Sequence, residues 1–144
     1  MTLLIEILWI VLQIFLLWLG ADFITGIIHW WQDAYGNPTW PILGKHVIKP
    51  NLNHHHEPRA MLKITYWSRV WTSVVASLVV ILILCICQIA SWQTILLVIF
   101  ASQGNEIHAM GHRTNKENGR CIIWLQKIGI IQRRKTHGWH HKAP

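Results

Sequence analysis

Residues 3–31 contain no lysine or arginine and only two carboxylates, Glu6 and Asp22, in a run otherwise dominated by Leu, Ile, Val, Phe and Trp. Such a stretch exceeds the roughly 20 residues a helix needs to cross a hydrocarbon core of about 30 Å. Two further runs, about 70–89 and 92–110, meet the same requirement, and the short connection around 88–91 leaves room only for a tight turn. Lipid offers the backbone no hydrogen-bond partners, so spans of this composition must be helical. The expected fold is therefore all-α. It is an integral membrane helical bundle of about three transmembrane helices in one domain, 1–144, with a loop over 32–69 and a tail over 111–144.

Charge supports the same reading. Only 13% of the residues are charged, against roughly 25% in soluble domains. The formal net charge is +7, yet every lysine and arginine lies between the first and second runs or after the third. Nucleic-acid binding would need basic residues along a water-soluble face, so no nucleic-acid partner is expected. By the positive-inside rule both basic segments face the cytoplasm and the N-terminus lies outside. A cleavable signal is not expected, because the first apolar run has no basic flank and is far longer than the roughly 7–15 residues of a signal core. Seven tryptophans (Trp30, Trp31, Trp40, Trp67, Trp71, Trp124, Trp139) fall at or beyond the cytoplasmic ends. Indole favours the headgroup level, so loop and tail are expected to lie on the membrane, where the basic tail also suits anionic headgroups. Cys85, Cys87 and Cys121 show no disulfide or zinc spacing.

All ten histidines are at the cytoplasmic end of this topology. On the first helix Asp22, Gly26, His29 and Asp33 are spaced by four, three and four, which puts them on one face within about 60°. His29 and Asp33 lie some 40 Å from Leu3, past the hydrocarbon core. His108 and His112, four apart with Asn105 on their face, reach the same depth at the end of the third run. His54-His55-His56 comes from the loop, and His137, His140 and His141 form a cluster if the tail is helical. Imidazoles paired at i,i+3 or i,i+4 give a metal two ligands from one rigid element. Eight nitrogens are more than one ion accepts and suit two. Asp33, Glu57 and Glu106 are expected to accept imidazole N–H groups and fix their tautomers. The carboxylate-bridged bundle with its Glu-x-x-His motifs does not fit, since no such motif occurs. No His-Glu-x-x-His is present either, which argues against a metalloprotease. His46 and His56 are read as interfacial residues, and intramembrane Asp22 as either functional or a helix-packing group.

These stretches resemble the lipid-desaturase domain family, of the plasmanylethanolamine and plastid phosphatidylglycerol desaturase type. The resemblance rests on residues 21–33 (ADFITGIIHWWQD) with Tyr35-Gly36, on 41–45 (PILGK), 54–58 (HHHEP) and 105–112 (NEIHAMGH), and on Leu125-Gln126 leading to 137–141 (HGWHH) and Pro144. It implies eight iron ligands, His29, His54, His55, His108, His112, His137, His140 and His141. The implied cofactors are two iron ions that use dioxygen to remove hydrogen from an unactivated carbon in an acyl or alkyl chain of a phospholipid. No flavin or nucleotide fingerprint occurs, so electrons are expected from an external donor, cytochrome b5-like or ferredoxin-like. Larger relatives carry a membrane segment before this first helix and continue past the last histidines, which makes the chain a short or truncated member. Rival readings are a lipid hydroxylase with the same metals, a metal transporter, and a non-catalytic membrane protein.

Overall fold

The computed structural model describes residues 2–142. Its described residues are helical, with no strands among them. Helix α1 spans Leu3–Tyr35, about 50 Å of rise. It stops at Gly36, which turns into extended backbone and closes the last turn with its N–H on Gln32 O, 3.0 Å. The Pro- and Gly-rich stretch then runs through a π-type turn at Gly44–Ile48 into short α2, Lys49–His56, with Pro50 in its first turn, where the missing N–H costs nothing.

Helix α3 spans Tyr66–Ile86 and starts four residues before the apolar run, because the Thr65 side chain accepts the backbone N–H of Ser68. It ends where Gln88 adopts a left-handed φ of 57°. Ser91 and Thr94 then cap each other reciprocally at the start of α4, Trp92–Ser102. The tight turn expected between these helices is thus present.

The third apolar run is not one helix. It breaks at Gln103 into α4 and α5, Gly104–His112. Ser102 Oγ bonds back to Ile99 O at 2.7 Å, a bond that bends helices. A side chain at Gly104 would sit 3.1 Å from Thr25 of α1, so the break falls where the chain passes close against α1. Two helices, α1 and α3, are long and apolar enough to cross a membrane. None of the apolar window of α1 is buried in the protein, unlike the core helix of a soluble domain. So continuous an exposed apolar surface requires lipid or another apolar partner.

The spans pack through few polar contacts. Trp18 meets Phe100 edge-on at 5.3 Å, Gln93 donates to Gln13, and Ser77 donates to Val98 O. After Thr114, which forms a capping box with Glu117, α6 covers Asn115–Ile128 with a kink at Gly119. Its C-terminal turn folds back so that Ile130 O accepts from Trp18 Nε1, and α7 follows at Arg134–His140. The buried apolar residues Ile48, Val70, Ala109 and Ile131 come from the loop, α3, α5 and the tail. Apart from Ala21, the core therefore sits at the histidine end.

One ion network ties α3 to α5 there. Glu106 accepts from Arg69 Nε at 2.8 Å and from Arg113 at 2.5 Å, while Arg69 also donates to Met61 O and Ile64 O. The Glu106 and Arg69 side chains are 13% and 8% exposed. Removing the shared carboxylate leaves two cations poorly solvated. Glu106→Ala should therefore cost about 3 kcal/mol of unfolding free energy in detergent. Glu117→Ala, which breaks the exposed pair with Arg59, should cost under about 1 kcal/mol. Equal losses in the two denaturation curves would contradict this assignment.

Candidate metal centre

Four helices deliver side chains to one place. α1 brings His29 and Asp33, α2 brings His54 and His55, α5 brings His108 and His112, and α7 with its C-cap brings His137, His140 and His141. They sort into two sets. His54, His108, His112, His137 and His141 form one, and His29, Asp33, His55 and His140 the other; within each set all candidate ligand atoms lie within 4.8 Å of one another. The sets adjoin: the His29 ring is 4.6 Å from that of His108, and His55 is 4.6 Å from His141.

Helix geometry explains the sorting. Residues four apart share a face, so His108/His112, His137/His141 and His29/Asp33 each serve one set. Consecutive residues point about 100° apart, so His54/His55 and His140/His141 each divide between the two. Gly111 brings α5 against α7, since a side chain there would stand 3.2 Å from the His137 ring.

The contacts within each set are not ordinary hydrogen bonding. In the five-histidine set the Nε2···Nε2 separations are 3.0 Å for His108–His54, 3.2 Å for His112–His108, 2.7 Å for His137–His112, 3.3 Å for His141–His112 and 3.0 Å for His141–His137. One proton per neutral ring cannot satisfy such a mesh. Donors at about 2.1 Å from a metal and 90° apart stand about 3.0 Å from each other, which is the spacing seen. In the other set Asp33 Oδ2 lies 3.5 Å from His29 Nε2 and 3.1 Å from Nε2 of both His55 and His140. All four of these atoms are buried without a hydrogen-bond partner. Orphaned donors converging on one point are what a bound cation would satisfy. Imidazole with a single carboxylate suits iron, zinc, copper or nickel.

Electrostatics keeps the rings ready for a metal. Burial, outweighing a hydrogen bond to Asn51 O, pushes His54 down to about 3. Burial and then the neighbouring imidazoles lower His137 to about 2 and His141 to about 4, and burial lowers His140 as well. These rings are neutral at pH 7, the form with a free lone pair.

Of the residues singled out from the sequence, all eight histidines named above lie in the two sets. His46 packs edge-on against Trp71, and neither it nor His56 joins them. The carboxylates depart from expectation. Asp33 stands among the ligand atoms themselves, its other oxygen accepting from Asn51 Nδ2 at 2.5 Å. Glu106 accepts from two arginines instead of an imidazole, and Glu57 is exposed at the end of α2. Asn105 donates to Arg69 O and Ser73 Oγ, joining α5 to α3. The charges of Arg69 and Arg113 captured Glu106; Arg113, seven residues on, shares its helix face, whereas the pairing with Arg69 is long-range and has no local sequence signal. Asn51, not among the residues singled out from the sequence, holds Asp33 with its side chain and His54 with its carbonyl; its place three residues before His54 is the available clue. Gln126, quoted above within the Leu125-Gln126 motif but given no role there, is buried and donates to Met110 O and Gln132 O, pinning the tail to α5. Ala143 and Pro144, the latter part of the last quoted motif, lie outside the described residues.

Comparison with known proteins gives a consistent picture. Residues 18–144 match the lipid desaturase domain family model. The chain is 34% identical over 133 residues to a protein of Acanthamoeba polyphaga mimivirus named "Probable fatty acid desaturase", covering 92% of this chain and 66% of that one. It is 30% identical over 138 residues to plasmanylethanolamine desaturase 1 of Mus musculus, covering 88% and 51%. It is also 30% identical over 129 residues to chloroplastic fatty acid desaturase 4-like 1 of Arabidopsis thaliana, covering 86% and 43%. The chain thus spans between about two fifths and two thirds of the length of these relatives. No solved structure matches it.

The depressed imidazoles set a pH dependence for the metal-free chain. Unfolded histidine titrates near 6.5, whereas His54 and His141 in the folded chain hold out to about 3 and about 4. Between those limits the unfolded state binds more protons, so stability falls as pH falls. The thermal midpoint in detergent should be flat above about pH 7 and drop steadily from about 6.5 toward 4. His54→Gln should shallow that slope, and an unchanged slope would count against a buried neutral His54.

Proposed function

The chain belongs to the lipid desaturase domain family, and from that premise we propose that it is a membrane-bound, di-iron, oxygen-dependent desaturase acting on an acyl or alkyl chain of a phospholipid. One observation carries the reading: two adjoining donor sets, five imidazoles in one and three imidazoles with a carboxylate in the other, at one end of an apolar helical bundle. Two iron ions, when bound, would supply the activation of dioxygen and the removal of hydrogen from an unreactive methylene pair.

The protein's residues account for the rest. Neutral, buried imidazoles offer lone pairs without first losing protons. Asn51 fixes the Asp33 carboxylate so that one oxygen stays turned toward His29, His55 and His140. The set containing Asp33 presents four donors and the other five, so the former leaves more positions free for exogenous molecules. α1, α3 and the α4–α5 pair serve as the membrane portion, with the basic segments on the cytoplasmic side. Lipid then reaches the histidines sideways, while a water-borne electron carrier approaches from the cytoplasm. That carrier is required: forming one double bond while reducing dioxygen to two waters consumes two electrons and two protons beyond the two hydrogens taken from the lipid. A cytochrome b5-like or ferredoxin-like protein fits this need.

Metal analysis and lipid profiling test the proposal together. The purified chain should carry two irons, and Asp33→Ala should lose about half of the metal, because it disables one set only. His108→Ala and His141→Ala should lower lipid turnover by about 100-fold or more and reduce iron content, whereas His46→Ala leaves both unchanged. Mass spectrometry should find products two hydrogens lighter than the substrate lipid. A gain of one oxygen would point instead to a hydroxylase, and full turnover in either histidine variant would refute the site.

A further inference from the structure

The two oxygens of Asp33 have different surroundings. Oδ2 faces Nε2 of His29, His55 and His140 at 3.5, 3.1 and 3.1 Å and is buried with no hydrogen-bond partner. Oδ1 accepts instead from Asn51 Nδ2 at 2.5 Å. That donor is itself anchored. Asn51 sits in the first turn of α2, where its carbonyl accepts from Nδ1 of His54. A carbonyl can only accept, so Nδ1 carries the proton and Nε2 keeps the lone pair that His54 turns to the five-histidine set. α2 follows Ile48, buried against the Gly36 turn at the end of α1, where an added side chain would stand 2.8 Å from it. Amide and carboxylate are thus held toward each other from two helices.

A carboxylate can give a metal one oxygen or both. The Asp33 side chain is 6% exposed and pairs with no lysine or arginine among the described residues. An oxygen of a buried anion left without a partner is costly. Without the Asn51 amide, the nearest positive charge for Oδ1 would be the ion in its own set. The carboxylate would then turn and give both oxygens, and the second would take up a coordination position. With the amide in place the set offers three nitrogens and one oxygen. A site with so few protein donors keeps room for an exogenous molecule, as catalytic metal sites do. The five-histidine set has no carboxylate and no such choice.

We infer, resting on the proposed occupation of both sets by metal, that Asn51 is a positioning residue: it holds Asp33 to one oxygen and so keeps a coordination position open beside His29, His55 and His140. The molecule admitted there is small and binds a metal end-on, the class to which dioxygen and azide belong.

The test uses the full chain in phosphatidylcholine nanodiscs, loaded with Co2+, whose visible absorption reports coordination number, and titrated with azide. The wild-type chain should take up one Co2+ in each of the two sets and bind azide with a saturable change in the visible bands. Asn51→Leu, close in volume but without the N–H, should keep both ions while its azide affinity falls by about ten-fold or more. Its bands should also weaken, as higher coordination requires. Asn51→Ser, too short to reach the carboxylate, should behave the same way and reads the position if the leucine variant does not fold. Asn51→Gln, which keeps an amide donor, should recover azide binding, a rescue that restored packing alone would not give. His46→Ala should leave azide binding as it is. Unchanged azide affinity in the leucine and serine variants would overturn the assignment, and so would a wild-type chain that binds no azide. Loss of one Co2+ together with azide binding would overturn it too, since the amide would then hold the set together and not a position open. Should azide behave as expected while no membrane lipid gains a double bond, Asn51 keeps its role and the desaturase reading fails.

Discussion

Crowded ring nitrogens are the constraint on which this structure turns. Five imidazoles bring their Nε2 atoms to separations of 2.7–3.3 Å, and three more surround a single carboxylate oxygen. Buried polar atoms without partners each cost free energy comparable to a lost hydrogen bond or more. Histidines in ordinary cores avoid such company. Here the cost is concentrated in one small volume, where a bound cation would offset it for all of the rings together. A metal bound by these rings would add its binding free energy to the stability of this end of the fold.

Two kinds of sequence spacing make the crowding possible, and they act in opposite senses. Pairs four apart commit a helix face to one donor set, as with His108 and His112. Neighbouring pairs, His54/His55 and His140/His141, cannot do that. They straddle the two positions and fix the distance between them. A shift of either adjacent pair by one residue would rotate both rings by about 100° and disconnect the sets. The surrounding devices follow from this demand for accuracy: the Glu106 ion network locks α5 to α3, Gln126 holds the tail to Met110 O, and Gly111 lets α7 come close.

Much of this was legible in the sequence, for physical reasons that differ by residue. The spans of α1 and α3 were legible because lipid leaves the backbone no alternative to the helix. The histidines were legible because helical periodicity turns spacing into direction. Asp33 could be placed beside His29 by the same rule, though its role as a member of the donor set depended on where α2 and α7 arrive. The break at Gln103 was hidden, since hydropathy does not register a Ser102 hydroxyl bonding back into its own helix or a glycine pressed against Thr25. Glu106 was assigned to an imidazole because carboxylates near metal sites often serve that way. Two arginines, Arg69 from α3 and Arg113 at the end of α5, hold its charge instead of the neutral rings.

The two ends of the bundle consequently obey different physics. Toward the N-terminus of α1 and the α3–α4 turn, the helices expose apolar side chains almost continuously and bury little against each other. Toward the histidines the chain packs a real core and threads ion pairs and amides through it. A lipid solvent explains the contrast: in hydrocarbon, helix surfaces gain little by hiding apolar groups from one another, so selection for tight packing acts where polar side chains must be held in place. α1 joins both regimes in one uninterrupted helix. Its outer part only has to be apolar and long, while its last turns must deliver His29 and Asp33 to a fixed point. Between them lies the stretch from Asp22 to Gly26, where Thr25 packs against Gly104 of α5 and the change from one regime to the other takes place.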